Sequence, residues 1–273
     1  VWGLSGEKYL DFTCANLTVI TGYKVGTPMI PNFAGTSYLE DKVRAKIKQF
    51  TGLEHCRFFK NGHNAVDCAV RLASHIIFDG DVEPNVFYMG YHGTSDSYMS
   101  TTKNCDGIPS GIESFQIDPD EDLDDCIDID ILVYESRFEP SAKKIKAKIK
   151  ICDHLKSGYW GLYEKNEAGF HLYGKSIGNG HAISILTGKD EMMKKIDEVY
   201  YSTTFGGENI GLQAVLDTCA EMAIEKENYH KLSSTVDELI PCRATGKNKY
   251  GMYSFRMPQL TDEHIKAFEK KVY

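Results

Sequence analysis

Lys175 stands in the stretch Leu172 to Gly180, Leu-Tyr-Gly-Lys-Ser-Ile-Gly-Asn-Gly, a single lysine among small residues and glycines. An apolar run, Ile183 to Leu186, follows it. Lysines ordinarily occupy solvated helix faces. Here the surrounding glycines predict a tight turn whose backbone can be approached closely. A lysine held in such a turn can lose solvation and act as a nucleophilic amine or form a Schiff base. Taken alone, the nonapeptide reads equally as an ordinary surface loop.

Four other stretches carry matching chemistry. Asn61-Gly62-His63 falls between a predicted strand and a predicted helix, where free backbone amides and a glycine suit a phosphate. Tyr91, at the next strand end, offers an aromatic face for stacking, or else a plain wall. Asp153 ends an apolar strand, where a carboxylate needs a cationic partner or several hydrogen bonds; a protonated ring nitrogen would serve. Thr203, Thr204, Gly206 and Gly207 offer hydroxyls and bare backbone, again suited to phosphate. A phosphate cradle, an aromatic stack, a carboxylate and a lysine together describe a pyridoxal phosphate site.

Elements able to position these groups are legible in the patterning. Leu39, Val43, Ile47 and Phe50 recur at helical spacing over Tyr38 to Thr51. The pieces Cys56–Phe59, Asn85–Met89, Ile131–Tyr134, Ile149–Asp153 and Ile183–Thr187 read as strands. Helices are predicted after Asn64, over Asp190 to Val199 and from about Ile210 to Lys226, and a hairpin over residues 1–13. The tail offers a strand, Gly251 to Arg256, and a helix, Thr261 to Val272. Alternating strands and helices predict an α/β domain with a mostly parallel sheet flanked by helices. Ligands in such sheets sit at the carboxyl ends of the strands, where loops 60–64, 90–96, 153–158 and the Lys175 loop all fall.

Composition sets outer bounds. The 273 residues are 42% hydrophobic and 26% charged, with net charge −8, enough for a substantial core. This charge argues against binding nucleic acid mainly through a basic surface, though not against a local basic groove. Eight scattered cysteines without a Cys-x-x-Cys pair read as reduced core residues, not disulfides or a zinc site, and no metal is expected. The acidic residues of 113–130 read as a solvated helix face, and the basic run 141–150 as a short helix or an extended edge. No signal peptide or membrane-spanning run is evident, so a cytoplasmic location is expected, with residues missing ahead of Val1 left open.

The ordered stretches RFFKNGHNAVDCAVRLA (57–73), GYHGTSDSYMSTTKNCDGIP (90–109), ICDHLKSGY (151–159), YGKSIGNGHAISILTGKDEMM (173–193) and STTFGGEN (202–209) resemble the class III aminotransferases of PLP fold type I. The likeness is to the glutamate-1-semialdehyde aminomutase-like branch, and VWGLSGEKYLDF (1–12) matches its opening hairpin. The resemblance covers about residues 1–225. It implies an N-terminal hairpin and loop segment over 1–30, a PLP-binding large domain over 31–225 and a reduced C-terminal small domain over 226–273. It implies that Lys175 forms the imine with pyridoxal 5'-phosphate and later moves protons at the substrate carbon. Asp153 then pairs with the pyridine nitrogen, Tyr91 stacks on the ring and Leu155 touches its other face. Asn61, Gly62 and His63 hold the phosphate. Thr203 and Thr204 belong to a tract that also binds it, with Thr204 reaching the phosphate of a neighbouring subunit, which makes the enzyme a homodimer. Glu135 matches a glutamate near the site, and Glu208 one that faces the substrate amine. Arg137, Arg243 and Arg256 are candidate partners for a substrate carboxylate or phosphate.

The chain departs from that pattern in being much shorter than the family's usual length. It also carries His154 where the family usually has glutamate, and Trp160 where it usually has arginine. A trimmed periphery implies an open site. The expected activity is aminotransferase or aminomutase chemistry on an amine or amino acid. The alternative is a PLP-dependent decarboxylase of an amino acid, including one attached to a DNA base (thymidine) in phage DNA hypermodification, as enzymes resembling this branch perform.

Overall fold

The computed structural model describes residues 38–79, 83–102, 106–108, 114–119, 128–164, 166–203 and 205–223, together with the backbone of 244–247 and 253–255. The predicted N-terminal hairpin and terminal helix lie outside the described residues.

Helix α1, Tyr38–Thr51, buries Leu39, Val43 and Ile47 along one face, as their spacing predicts. Strand β1, Cys56–Phe59, leads into the long helix α2, Gly62–Phe78. The buried stripe of α2 is Ala65, Cys68, Ala69, Leu72 and Ala73. Small side chains there let the helix lie close to the sheet. Next come β2 (Val86–Met89), the single turn α3 (Asp96–Met99) and β3 (Ser114–Gln116). They are followed by β4 (Ile131–Glu135), α4 (Glu139–Ala142), β5 (Ile149–Asp153), β6 (Phe170–Gly174) and β7 (Ser184–Gly188). A one-turn helix α5, Asp190–Met193, precedes helix α6, described over 209–223. Strands β8 (Ala244–Lys247) and β9 (Tyr253–Phe255) form a separate antiparallel pair.

The main sheet has seven strands in the order β1-β7-β6-β5-β4-β2-β3. β7 runs antiparallel to both β1 and β6, and the remaining neighbours are parallel. The central strands β4 and β6 are buried at every residue, which is why β4 reads as a continuous apolar run, Ile131–Tyr134, rather than an alternating one. On one face, Ile131, Val133, Ile151, Leu172 and Leu186 pack against α2. On the other, Met89, Leu132, Tyr134 and Cys152 pack with Ile129, Ala142 and Ala168. At the β1–β7 end, α1 and α6 share a third cluster through Val43, Ile47, Leu212 and Val215.

Several expectations need correction. Leu172 and Tyr173, assigned to the Lys175 turn, belong to β6, which pairs with β5 and β7 on its two sides. The helix predicted over Asp190 to Val199 breaks after one turn into the 3-10 segment Ile196–Glu198. Strands β3 and β8, three and four residues long, are too short for the sequence to show a period. Asp130, counted in a solvated acidic face, is buried: its Oδ2 accepts from the Asn85 amide at 2.8 Å and Oδ1 meets Lys148 Nζ at 2.6 Å. The carboxylate thus ties the starts of β2 and β4. In the basic run only residues up to Ala142 are helical, and from Ile149 the chain is strand.

Candidate active site

Six of the seven strands point one way, so the loops after β1, β2, β4, β5 and β6 gather at one edge of the sheet. A cavity of about 440 Å³ opens there. Asn61, Gly62, His63, Tyr91, Glu135, Asp153, Leu155 and Lys175 all line it. Residues spread over 115 positions therefore face a single space.

Lys175 sits at the first position of a 3-10 turn, Lys175–Gly178, directly after β6. Its φ is +51°, in the left-handed region, and Asn179 at the end of the turn has φ +43°. A non-glycine residue there carries about 1–2 kcal/mol of backbone strain. The surrounding structure holds it: Tyr159 N donates to Ser176 Oγ at 3.0 Å, pinning the turn to the 3-10 segment Gly158–Tyr163. Gly158, at φ +57°, permits that approach, since a Cβ at this position would overlap Ser176 Oγ.

Asp153 is buried at the end of β5, with both oxygens engaged. Oδ1 accepts from the Leu155 amide at 2.8 Å, and Oδ2 lies 2.8 Å from His92 Nδ1. The other ring nitrogen, His92 Nε2, is 3.1 Å from the Met89 carbonyl, which can only accept. The imidazole thus bridges the Asp153 carboxylate and the end of β2. His92 was not singled out from sequence, although it is the immediate neighbour of Tyr91 in Gly-Tyr-His-Gly.

Glu135, at the end of β4, is also buried and is shared by three partners. Its Oε1 accepts from the Tyr91 amide and from Lys156 Nζ, each at 2.6 Å. Arg137 Nε lies 2.8 Å from Oε2, close enough for an ion pair but without hydrogen-bond alignment. Gly90, at φ +111°, leaves the room that Glu135 fills. Lys156 also lies over the Tyr91 ring, 5.4 Å from its centroid. Burial lowers the Lys156 pKa, with Lys175 nearby acting in the same direction and Glu135 opposing. Lys156 lines the cavity and is a second half-buried lysine that sequence reasoning passed over.

The N-terminus of α2 completes the floor. Asn61 is its N-cap, and its side chain makes no capping hydrogen bond. The Asn61 carbonyl accepts from Ser184 Oγ at 2.8 Å, fixing the loop to β7. A Cβ on Gly62 would come within 2.8 Å of the Leu155 methyls, so the glycine is what lets Leu155 lie against this turn.

Other predicted residues fall elsewhere. Thr203 does not line the cavity, and its carbonyl accepts from Gly206 N at 3.2 Å. Glu208 caps α6, accepting from Ile210 N at 2.8 Å and Gly211 N at 2.7 Å, and pairs with Lys60. Only Lys60 of that pair lines the cavity. Burial opposes ionisation of Glu208, but Lys60 and the two amides outweigh it and hold the carboxyl below its ordinary range. Arg137 lines a neighbouring cavity and stacks over Phe138 at 4.3 Å. Thr204, Arg243 and Arg256 lie outside the described residues.

No protein-family model matches the chain. The structure superposes on the ornithine aminotransferase of Toxoplasma gondii with a TM-score of 0.71 at 13% identity, over 99% of this chain and 86% of that one. The fold is that of the PLP-dependent transaminases, an α/β fold with a mostly parallel mixed sheet flanked by helices. In sequence the chain is 22% identical to the LysW-aminoadipate semialdehyde/glutamate semialdehyde transaminase of Sulfolobus acidocaldarius, covering 84% of this chain and 69% of that protein. It is 21% identical to the acetylornithine aminotransferase of Archaeoglobus fulgidus, covering 87% and 73%.

Proposed function

We propose that the chain is a pyridoxal-phosphate-dependent aminotransferase acting on an amine or amino acid, and that the cavity is its active site. The observation that carries this reading is the meeting of Lys175 and buried Asp153 in one cavity with the open first turn of α2. The residues fit the cofactor. Asp153 lines the cavity as a buried carboxylate held by His92, suited to a protonated ring nitrogen. Gly62, His63 and uncommitted Asn61 suit a phosphate. Tyr91 and Leu155 supply apolar surfaces for the ring.

When bound, pyridoxal phosphate supplies a conjugated ring that takes up an electron pair from the substrate carbon. Lys175 anchors it through Nζ and serves as the base that moves a proton at that carbon. His92 keeps Asp153 oriented, and Lys156 balances the charge of Glu135 beside Tyr91. Thr203 belongs, in this reading, to a phosphate-binding tract with Thr204, which reaches the cofactor phosphate of a second subunit, so the enzyme works as a homodimer. Large-domain residues 31–225 then carry the catalytic groups and 226–273 a reduced small domain. The aminomutase-like branch, a cytoplasmic location and the roles of Glu208, Arg137 and Arg256 toward substrate belong to the same proposal. No helix among the described residues is long and apolar enough to cross a membrane.

The aminotransferase names of the sequence relatives favour amino transfer over decarboxylation, including decarboxylation of an amino acid carried on DNA. Mixing the holoenzyme with amino donors tests this. Conversion of the imine absorbance to that of the pyridoxamine form is expected. Release of carbon dioxide from an amino-acid substrate, with no half-reaction from any donor, overturns it.

A further inference from the structure

Behind Asp153, on the sheet face turned away from α2, β5 and β6 bring together three side chains that the proposed reaction does not use. Cys152 and His171 are direct partners across the parallel pair, and His154 returns to the same face two residues after Cys152. All three are buried, and one ligand atom from each lies within 4.8 Å of the others. His154 Nε2 is 3.1 Å from His171 Nδ1, and the two ring planes are within 16° of each other.

The outer atoms of the cluster are already engaged. His154 Nδ1 lies 3.1 Å from Glu164 Oε2, which accepts its proton. With that nitrogen donating, Nε2 of a neutral His154 is a lone pair aimed at His171. The backbone of Ala168 accepts from the His171 ring. Asn166 Nδ2 donates to Cys152 Sγ at 3.2 Å. Carboxylate and carbonyl acceptors behind ligating imidazoles are the usual support of a protein metal site. Two imidazole nitrogens on one tetrahedral ion, each bonded at about 2.0–2.1 Å, stand about 3.3 Å apart. Cys152 completes a soft-plus-borderline donor set of the kind zinc takes.

We propose that Cys152, His154 and His171 bind one divalent transition-metal ion of the zinc class, which clamps β5 to β6 directly behind Asp153. This departs from the sequence expectation that no cysteine takes part in a metal site. A bound cation would hold Cys152 as the thiolate. Glu164 provides the way in: its side chain is 41% exposed and lines a cavity of about 350 Å³ with Ser136 and Ser157. The competing arrangement is a single proton shared between the two rings.

The test equilibrates the full chain, with its cofactor bound, in zinc, removes loose metal by dialysis, and measures metal per chain and X-ray absorption at the zinc edge. One retained zinc with one sulfur and at least two imidazole neighbours is expected. Cys152→Ser should remove the sulfur signal, and His171→Ala should weaken zinc retention at least tenfold. Both should keep the Lys175 imine absorbance, which reports that the fold survives. No stoichiometric zinc, a zinc shell without sulfur, or equal retention by the variants overturns the proposal. Should either variant fail to fold, the wild-type absorption spectrum decides by itself, through the presence or absence of sulfur.

Discussion

His92 Nδ1 stands 2.8 Å from Asp153 Oδ2, with both side chains buried and the far ring nitrogen committed to the Met89 carbonyl. The pair links the end of β5 to the loop after β2, and so couples two of the walls of the cavity. Replacing the imidazole by an apolar ring leaves a buried carboxylate oxygen without a donor, which costs about 1.5–3 kcal/mol. His92→Phe is therefore expected to lower stability by about that amount and to weaken pyridoxal phosphate binding at least tenfold. His92→Gln, which keeps an N–H donor, should recover part of both. Denaturant unfolding and cofactor titration read the two effects separately.

Lys175 has a backbone reason to be unusual as well as a chemical one. Its left-handed φ favours glycine over any residue with a Cβ. Lys175→Ala and Lys175→Gly should both abolish the imine absorbance of the cofactor-loaded protein. They should differ in stability, with the glycine variant unfolding at higher denaturant by about 1 kcal/mol. Retention of the imine band in either variant removes Lys175 from the role assigned to it.

Gly158 and Ser176 meet so closely that no Cβ fits between them. Gly158→Ala combines that overlap with a residue at φ +57°, and should cost more than about 2 kcal/mol. Adding Ser176→Gly removes the side-chain overlap but not the φ penalty, and also removes the acceptor for Tyr159 N. Partial rescue of stability is expected from the double variant, measured as a double-mutant cycle by denaturant unfolding.

Glu208 carries a pH dependence of stability. Its carboxyl is held below the ordinary range in the folded chain despite partial burial, because Lys60 and the amides of Ile210 and Gly211 stabilise the charged form. A depressed folded pKa contributes stability above the unfolded value, about 4.3, that is lost as pH falls through the folded value. The stability gap between the wild type and Glu208→Gln should be largest above about pH 5. It should shrink on acidification, as followed by unfolding midpoints across pH. A gap that grows in acid contradicts the cap and ion pair described for this residue.

Much of the site was readable because its parts are local. Asn61-Gly62-His63, Tyr91 and Asp153 each follow or end an apolar run that reads as a strand, and glycine-rich turn chemistry marks the Lys175 loop even though the strand ahead of it, β6, carries no clear pattern. Parallel strands carry all such loops to one edge, so a strand reading already implies their convergence. What escaped was whatever depends on a partner far away in the chain. His92 gains its meaning from Asp153, 61 positions on, and Lys156 from Glu135, 21 positions back. Glu208 shows its part in the fold, as the carboxylate that caps the start of α6, only once that helix is in view. Strand β3 is three residues long and too short to show a period.

The amino-acid sequence by itself determined the alternation of strands and helices, the apolar stripes of α1 and α2, and the lysine, aspartate and phosphate-suited turn at strand ends. These follow from periodicity and turn chemistry, which act over a few residues. Tertiary structure alone decided the strand order with β7 reversed between β1 and β6, the left-handed backbone at Lys175 and the His92–Asp153 pair. It also decided that Cys152, His154 and His171 share one buried space behind the site. Each of these depends on which strands lie side by side. That is settled by burying both faces of the sheet at once, a condition no single stretch of sequence contains.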